Sequence, residues 1–389
     1  MDLARTAMRS LGLGARAAAR PRELLRRSPL LAGMGGGAGL ALLAALVLAL
    51  LGDPHGGRAR AVLAIGERPV PPADALMSMV EDTGEPRLLA APGHAAHLPA
   101  DAPQTEEAAP QETARIAPDG TVTLAAAPDL ALVAEGQFGL VPIIASDGRR
   151  AAEVYARPVP PPTGRPRIAI VLAGMGLSPS ATRKAIASLP GEITFAFAPH
   201  GEGLQSWVNR ARAAGHEAML EVPLEPFDYP QNDPGPNTLL AGAPTSDNLR
   251  RLDWTLSRFT GYTGLLAQGG PRFTAAEDAM RVVLAAVSAR GLLYVEDGAS
   301  PRSQALRAAR ASGADAALAD RIIDDRLSRE AIDLKLLELE RVAASRGVAI
   351  GLGFAYPATI DQVGAWVPTL RAKGYDLVPV SDATLHRPS

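Results

Sequence analysis

Five carboxylates and an arginine stand just past the ends of short apolar runs in this chain: Glu221, Glu296, Asp297, Asp324, Asp325 and Arg272. Three chemistries fit such a set. Glu221 with Glu296 or Asp297 could work as an acid/base pair if their carboxyl groups lie roughly 5–10 Å apart, as in glycoside hydrolysis. An all-oxygen cluster could hold calcium or magnesium, which prefer carboxylates. Paired carboxylates could instead bind sugar hydroxyls, with Gln268 and His200 beside them and Phe354 or Tyr356 stacked on a sugar face. The ordinary use of such acids, capping helices and pairing with arginines, also remains open. Of the histidines after residue 166, His200 follows a run, His216 precedes one and reads as structural, and His386 is in the tail. There are no cysteines, which excludes thiol catalysis, thiolate zinc sites and disulfides. No G-x-S-x-G elbow and no G-x-x-x-x-G-K-[ST] loop is present. Gly174-Met175-Gly176 lacks the third glycine of a dinucleotide fingerprint, Pro179 standing in its place.

The elements that must position these residues lie after Arg167. Apolar runs at 168–172, 193–198, 218–222, 264–267, 292–295, 321–323, 348–352 and 377–380 alternate with helical stretches near 179–189, 203–214, 246–259, 275–290, 302–312, 328–346 and 358–373. Ser178-Pro179 reads as a helix start, and Thr274-x-x-Glu277 as a capping box. Ile332, Leu336, Leu339 and Ala343 form one apolar stripe. Strand–helix alternation over so many units predicts an α/β fold with a mainly parallel sheet, closed into an irregular barrel. Its functional face is then the C-terminal ends of the strands, where the acids stand.

The rest of the chain is a different material. Of 389 residues, 47% are hydrophobic and 21% charged, with a formal net charge of −2. That balance argues against a nucleic-acid partner. Residues 1–28 carry seven arginines and read as a basic cytoplasmic tail. Residues 29–52 hold no charge, and the nearly pure Leu/Ala/Val stretch 40–51 predicts a membrane-spanning helix or signal anchor. Residues 53–166 contain half of all 34 prolines and read as a flexible linker. Order is expected to return at Thr121–Ala125 and in a small arm near 138–157, a hairpin or arm around the turn pair Asp147-Gly148 that docks onto the domain after residue 166.

Between residues 167 and 389 the chain resembles the divergent polysaccharide deacetylase family. The resemblance is carried by IAIVLAGMGLS, AGHEAMLEVPLEP, DPGPNTLL, GGPRFTAAEDAM, GLLYVEDGASPRS, IIDD and GLGFAYPATI, in that order. It implies an irregular (β/α) barrel of the polysaccharide deacetylase type and an envelope or periplasmic setting. Active relatives are metal-dependent and remove acetyl groups from amino sugars, with Asp and His on the metal and a further carboxylate as base. Here the matching positions are substituted. The acids expected after the first run are Ala173 and Gly174, and the expected histidines are Glu221, Gln268 and Phe354. Glu296 stands for the fifth-strand acid, with Asp297 beside it. A catalytic zinc needs about three protein ligands, so no metal and no cofactor is expected unless the site has been rebuilt. The reading is a single-pass inner-membrane protein whose periplasmic domain is a pseudoenzyme linked to carbohydrate metabolism. It would bind a glycan or cell-wall polymer or act as a scaffold. The alternative is a hydrolase that deacetylates amino sugars through an altered metal site.

Overall fold

The computed structural model describes residues 114–118 and 120–385. The expected basic tail, the membrane segment 29–52, most of the linker and His386 lie outside the described residues. Among those described, no helix is long and apolar enough to cross a membrane.

The sheet that positions the site is parallel throughout. Its strands are β5 (Arg167–Met175), β6 (Thr194–Phe197), β7 (Ala218–Pro223), β8 (Gly264–Gln268), β9 (Leu293–Glu296), β10 (Ala316–Leu318), β11 (Arg321–Ile322), β12 (Val348–Phe354) and β13 (Asp376–Leu377). The spatial order is β10-β9-β8-β7-β6-β5-β12-β11, with β13 pairing β5. The two edges are one continuous piece of chain. Ala319 N donates to Glu296 O of β9, and Asp320 N donates to Ile350 O of β12. One short segment thus changes partner within two residues and closes the curl. The apolar runs expected from the sequence coincide with strands, except that only Leu377 of the run 377–380 is in one and Val380 opens an unanticipated C-terminal helix, Val380–Leu385; the helices at 179–188, 204–213, 245–256, 277–289, 305–312, 329–346 and 357–370 fall where expected. β10 was not anticipated, because Ala-Ala-Leu carries no pattern of its own.

Both faces of the strands are buried. Inside the curl lie small and medium residues, among them Ala169, Val171, Ala196, Met219, Leu266, Val295 and Ile350. The outer face packs Ile168, Ile170, Phe195, Leu220, Leu265 and Tyr294 against the helices. Double burial explains why these segments read as continuous apolar runs rather than as alternation. The stripe Ile332, Leu336, Leu339 and Ala343 is buried as expected; each of its larger side chains contributes roughly 1.5–3 kcal/mol of transfer free energy. Ser178 and Ser328 cap their helices through the amides of Ala181 and Ala331.

Two local expectations are corrected. The helix at 277–289 starts from Ala276, not from a Thr274 cap. Thr274 instead ends a separate turn of helix at 271–274, with its hydroxyl buried. The Asp147-Gly148 turn does not join two strands. It leads into a short helix, Ala151–Val154, and the hairpin lies earlier: β3 (Val133–Gly136) pairs with β4 (Gly139–Pro142). The order expected at Thr121–Ala125 is present as β2 (Val122–Leu124), paired to β1 (Ala114–Ile116), which was not anticipated. These elements are three or four residues long, too short to show a period, and Val122, Leu124, Leu132 and Tyr155 are buried only through tertiary contact.

The arm does dock on the barrel. Arg212 is completely buried, donating from Nε to Ala125 O at 2.7 Å and from Nη1 to Tyr155 O at 2.9 Å, with its guanidinium over the Tyr155 ring. Glu217, also fully buried, accepts from Arg157 N and binds the Ser381 hydroxyl, tying the arm to the C-terminal helix.

Candidate functional site

β5 carries a bulge between Leu172 and Met175, where Gly174 has φ +75°. That left-handed backbone is open to glycine at no steric cost. The bulge presents the Gly174 amide to a side chain of β7, one strand beyond the adjacent β6. Gly174 N donates to Glu221 Oε1 at 2.5 Å, and Gln268 Nε2, from β8, donates to Glu221 Oε2 at 2.8 Å. Glu221 is buried, and burial pushes its carboxyl up to about 7 against the pull of these two donors.

The positions that resemble a metal site are thereby occupied by the protein's own hydrogen bonds. Each Glu221 oxygen already has a donor, and Gln268 presents its NH2 group to that carboxylate. Gly174 has no side chain, and Phe354 offers only a ring. Among the described residues no group of three or more His, Asp or Glu is placed to hold a metal ion. A catalytic zinc with three protein ligands and an open position does not fit this donor set.

Glu296 does not join Glu221. Side chains alternate across a strand. On β9, Val295 points into the curl, while Tyr294 and Glu296 share the outer, helix-facing side. Accordingly Glu296 Oε2 accepts from Ser303 Oγ at 2.9 Å and from the Tyr294 hydroxyl at 3.4 Å. Glu221 lies on the side of Met219, inside the curl, reaching Gln268 and the β5 bulge. Glu221 and Glu296 therefore stand on opposite faces of the sheet. Glu296 is 1% exposed, and burial with the adjacent Asp297 charge pushes its carboxyl up to about 7. Asp297 is spent on the loops, accepting from Gly269 N and Ala299 N. Asp324 accepts from Phe354 N and Thr359 Oγ1, and burial raises its pKa. Asp325 lies 3.6 Å from Lys335.

The residues expected to bind ligand divide the same way. Arg272 pairs with Glu225 at 3.2 Å. Glu225 also accepts from Ala241 N and, through its backbone, binds Leu239 and Phe273, so this buried acid ties the 226–241 loop to the 271–274 turn. Phe354 and Tyr356 sit together, ring centroids 5.7 Å apart, and Tyr356 is half exposed. His200 stacks on Trp254 at 5.4 Å; burial and Arg258 lower its pKa. Neither pair lines the opening at the ends of β8 and β9.

That opening is a cleft of about 310 Å³ over the ends of β8 and β9. Its walls come from the loops at 226–232, 268–274 and 296–300. Gln268, Glu296 and Asp297 line it, as do Phe227, Asp228, Asn232 and Thr274, which sequence reasoning does not single out as site residues. Phe227 is 59% exposed, an aromatic face at the rim. Its place after the β7 run and its large apolar type were the available signal. Thr274 gave none beyond a capping pattern that does not form.

The comparisons with known proteins agree with this architecture. Residues 170–384 match the family model described as divergent polysaccharide deacetylase. The crystal structure of the uncharacterized protein ATU2773 from Agrobacterium tumefaciens C58 is 41% identical, covers 62% of this chain and 98% of its own, and superposes with a TM-score of 0.61. The uncharacterized protein YibQ of Escherichia coli (strain K12) is 24% identical over 195 residues, half of this chain; the chain spans 60% of that relative's length. The catalytic domain of a peptidoglycan N-acetylglucosamine deacetylase from Eubacterium rectale is 14% identical, with a TM-score of 0.37 over 56% of this chain and 90% of its own.

Proposed function

Because this chain belongs to the divergent polysaccharide deacetylase family, we propose that it is an envelope protein that binds a cell-wall glycan at the C-terminal end of its barrel and has lost the family's metal-dependent hydrolysis. The observation that carries this reading is the Gly174–Glu221–Gln268 network, in which the one remaining carboxylate at a ligand position is consumed by the fold. The cleft supports binding: it combines an exposed aromatic ring, Phe227, with the polar side chains of Asp228, Asn232 and Gln268. Sugars are held by such pairings of an apolar face with a few placed hydrogen-bonding groups. Arginine-rich residues 1–28 followed by the uncharged segment 29–52 support a single-pass anchor with the barrel on the periplasmic side. The anchor predicts that the full chain needs detergent for extraction, whereas a chain lacking residues 1–52 does not.

The test is calorimetry on the metal-stripped protein, with zinc, manganese and calcium and then with cell-wall oligosaccharides. The expected result is no metal binding up to millimolar concentration, measurable oligosaccharide binding and no released acetate. Stoichiometric zinc or manganese binding at micromolar affinity, abolished by Glu221→Ala, would overturn the loss of hydrolysis and favour deacetylation through a rebuilt site.

A further inference from the structure

The cleft over β8 and β9 is lined by three acids, Asp228, Glu296 and Asp297, and by no lysine, arginine or histidine. Three of its buried polar atoms lack partners. Glu296 is 1% exposed and Thr274 2% exposed. Glu296 Oε1 and Thr274 Oγ1 are both buried without a hydrogen bond, as is Gln268 Oε1 on the same lining. In the buried acids Glu217, Glu221 and Glu225 both carboxylate oxygens are engaged, whereas Glu296 uses only Oε2, as buried Asp324 uses only Oδ2 at another strand end. Buried polar atoms are nearly always paired, and those that are not call for an explanation.

The three unpartnered oxygens have one character in common. A carboxylate oxygen and an amide carbonyl only accept, and a threonine hydroxyl can accept. A cleft that offers acceptors, negative charge and no donor-bearing cation is complementary to a cationic donor. A primary ammonium supplies three N–H donors and a positive charge. A divalent metal would be the other cationic occupant, but no group of three candidate ligands converges among the described residues.

We propose that this cleft binds the free primary amine of a cell-wall component, with Glu296 as its ion-pairing residue and Thr274 as a second acceptor. The inference rests on the glycan-binding reading and sharpens it: the preferred ligand is the de-N-acetylated amino sugar, not the acetylated one. An acetamido group carries one N–H and no charge, so it leaves the Glu296 carboxylate unpaired. The raised pKa of Glu296, caused by burial and the Asp297 charge, fits an acid whose counter-ion arrives with the ligand. Phe227 at the rim would face the ring that carries the amine. The same ammonium chemistry occurs on the amine-bearing side chains of wall peptides, and the experiment separates these sources.

The experiment titrates the full chain, in detergent, with glucosamine tetramer, N-acetylglucosamine tetramer and a short lysine-bearing peptide. Binding of the free-amine tetramer in clear preference to the other two is expected. Glu296→Gln should weaken that binding at least thirtyfold, the order expected when one partner of a buried charge pair is removed. Asp228→Asn, at an exposed position that does not threaten folding, should weaken it severalfold and reduce its salt dependence. Thr274→Val should weaken it by about tenfold, one hydrogen bond to a charged group. Preference for the peptide would move the ligand from glycan to wall peptide and overturn the amino-sugar assignment. Equal binding of the acetylated and free-amine tetramers, or tight binding untouched by Glu296→Gln and Asp228→Asn, would overturn the amine assignment while leaving glycan binding intact. Failure of all three ligands would overturn both readings.

Discussion

Replacing Glu221 with glutamine should make this protein more stable, and the gain should depend on pH. The Glu221 carboxyl is raised from an ordinary 4.5 to about 7 by burial. The folded state therefore keeps a proton between pH 4.5 and 7 that the unfolded chain has already lost. Stability from this group is full below pH 4.5 and falls as pH rises through 7. At about 1.4 kcal/mol per unit, the loss is about 3 kcal/mol at pH 8. Glutamine has no charge to bury. Its carbonyl can accept from Gly174 N, as Oε1 does now. Its NH2 can donate to Gln268, whose Oε1 has no partner, once that amide turns over. Both hydrogen bonds survive, and the burial penalty disappears. Urea unfolding followed by the fluorescence of Trp207, Trp254 and Trp366 at pH 5 and pH 8 reads the effect. At pH 8 the variant midpoint should rise by about 1 M, taking a urea slope of ~3 kcal/mol/M; at pH 5 the two proteins should nearly coincide. A variant less stable than its parent at pH 8, or a difference that does not change with pH, would refute the reasoning and return Glu221 to consideration as a free carboxylate.

Two further outcomes concern buried groups. His216 is fully buried and stacked on Phe195, with Nδ1 bonded to Ile193 O at 2.8 Å, and burial lowers its pKa to about 4. Its imidazole resonances should not titrate above about pH 5. Its contribution has the opposite sign to that of Glu221, present above pH 6.5 and lost as pH falls toward 4. Glu225→Ala removes the acceptor of Ala241 N and should cost about 2 kcal/mol. Hydrogen exchange should rise across residues 226–241, with little contribution from the lost pair to half-exposed Arg272.

Sequence alone was enough for most elements of the barrel, β10 and the helix Val380–Leu385 excepted, and for the family. Strand segments were legible as continuous apolar runs and helix stripes because each is long enough to show a period, and the ordered blocks from IAIVLAGMGLS to GLGFAYPATI carried the resemblance. The arm from Ala114 to Tyr155 was legible only as order at 121–125 and a docked piece near 138–157, not in its pairings, because its short hairpins hold only through contacts such as Arg212 with Ala125 and Tyr155. Nor could sequence separate Glu221 from Glu296. In a sheet buried on both faces, LEVP and LYVE look alike, because no polar alternation marks which side faces inward. Register, the Gly174 bulge and the closure through Ala319 and Asp320 decide that one carboxylate faces the inside of the curl and the other the helices. They also decide which oxygens are left without partners. Those facts belong to tertiary structure, since they depend on what a strand's neighbours place opposite it and not on the strand's own residues.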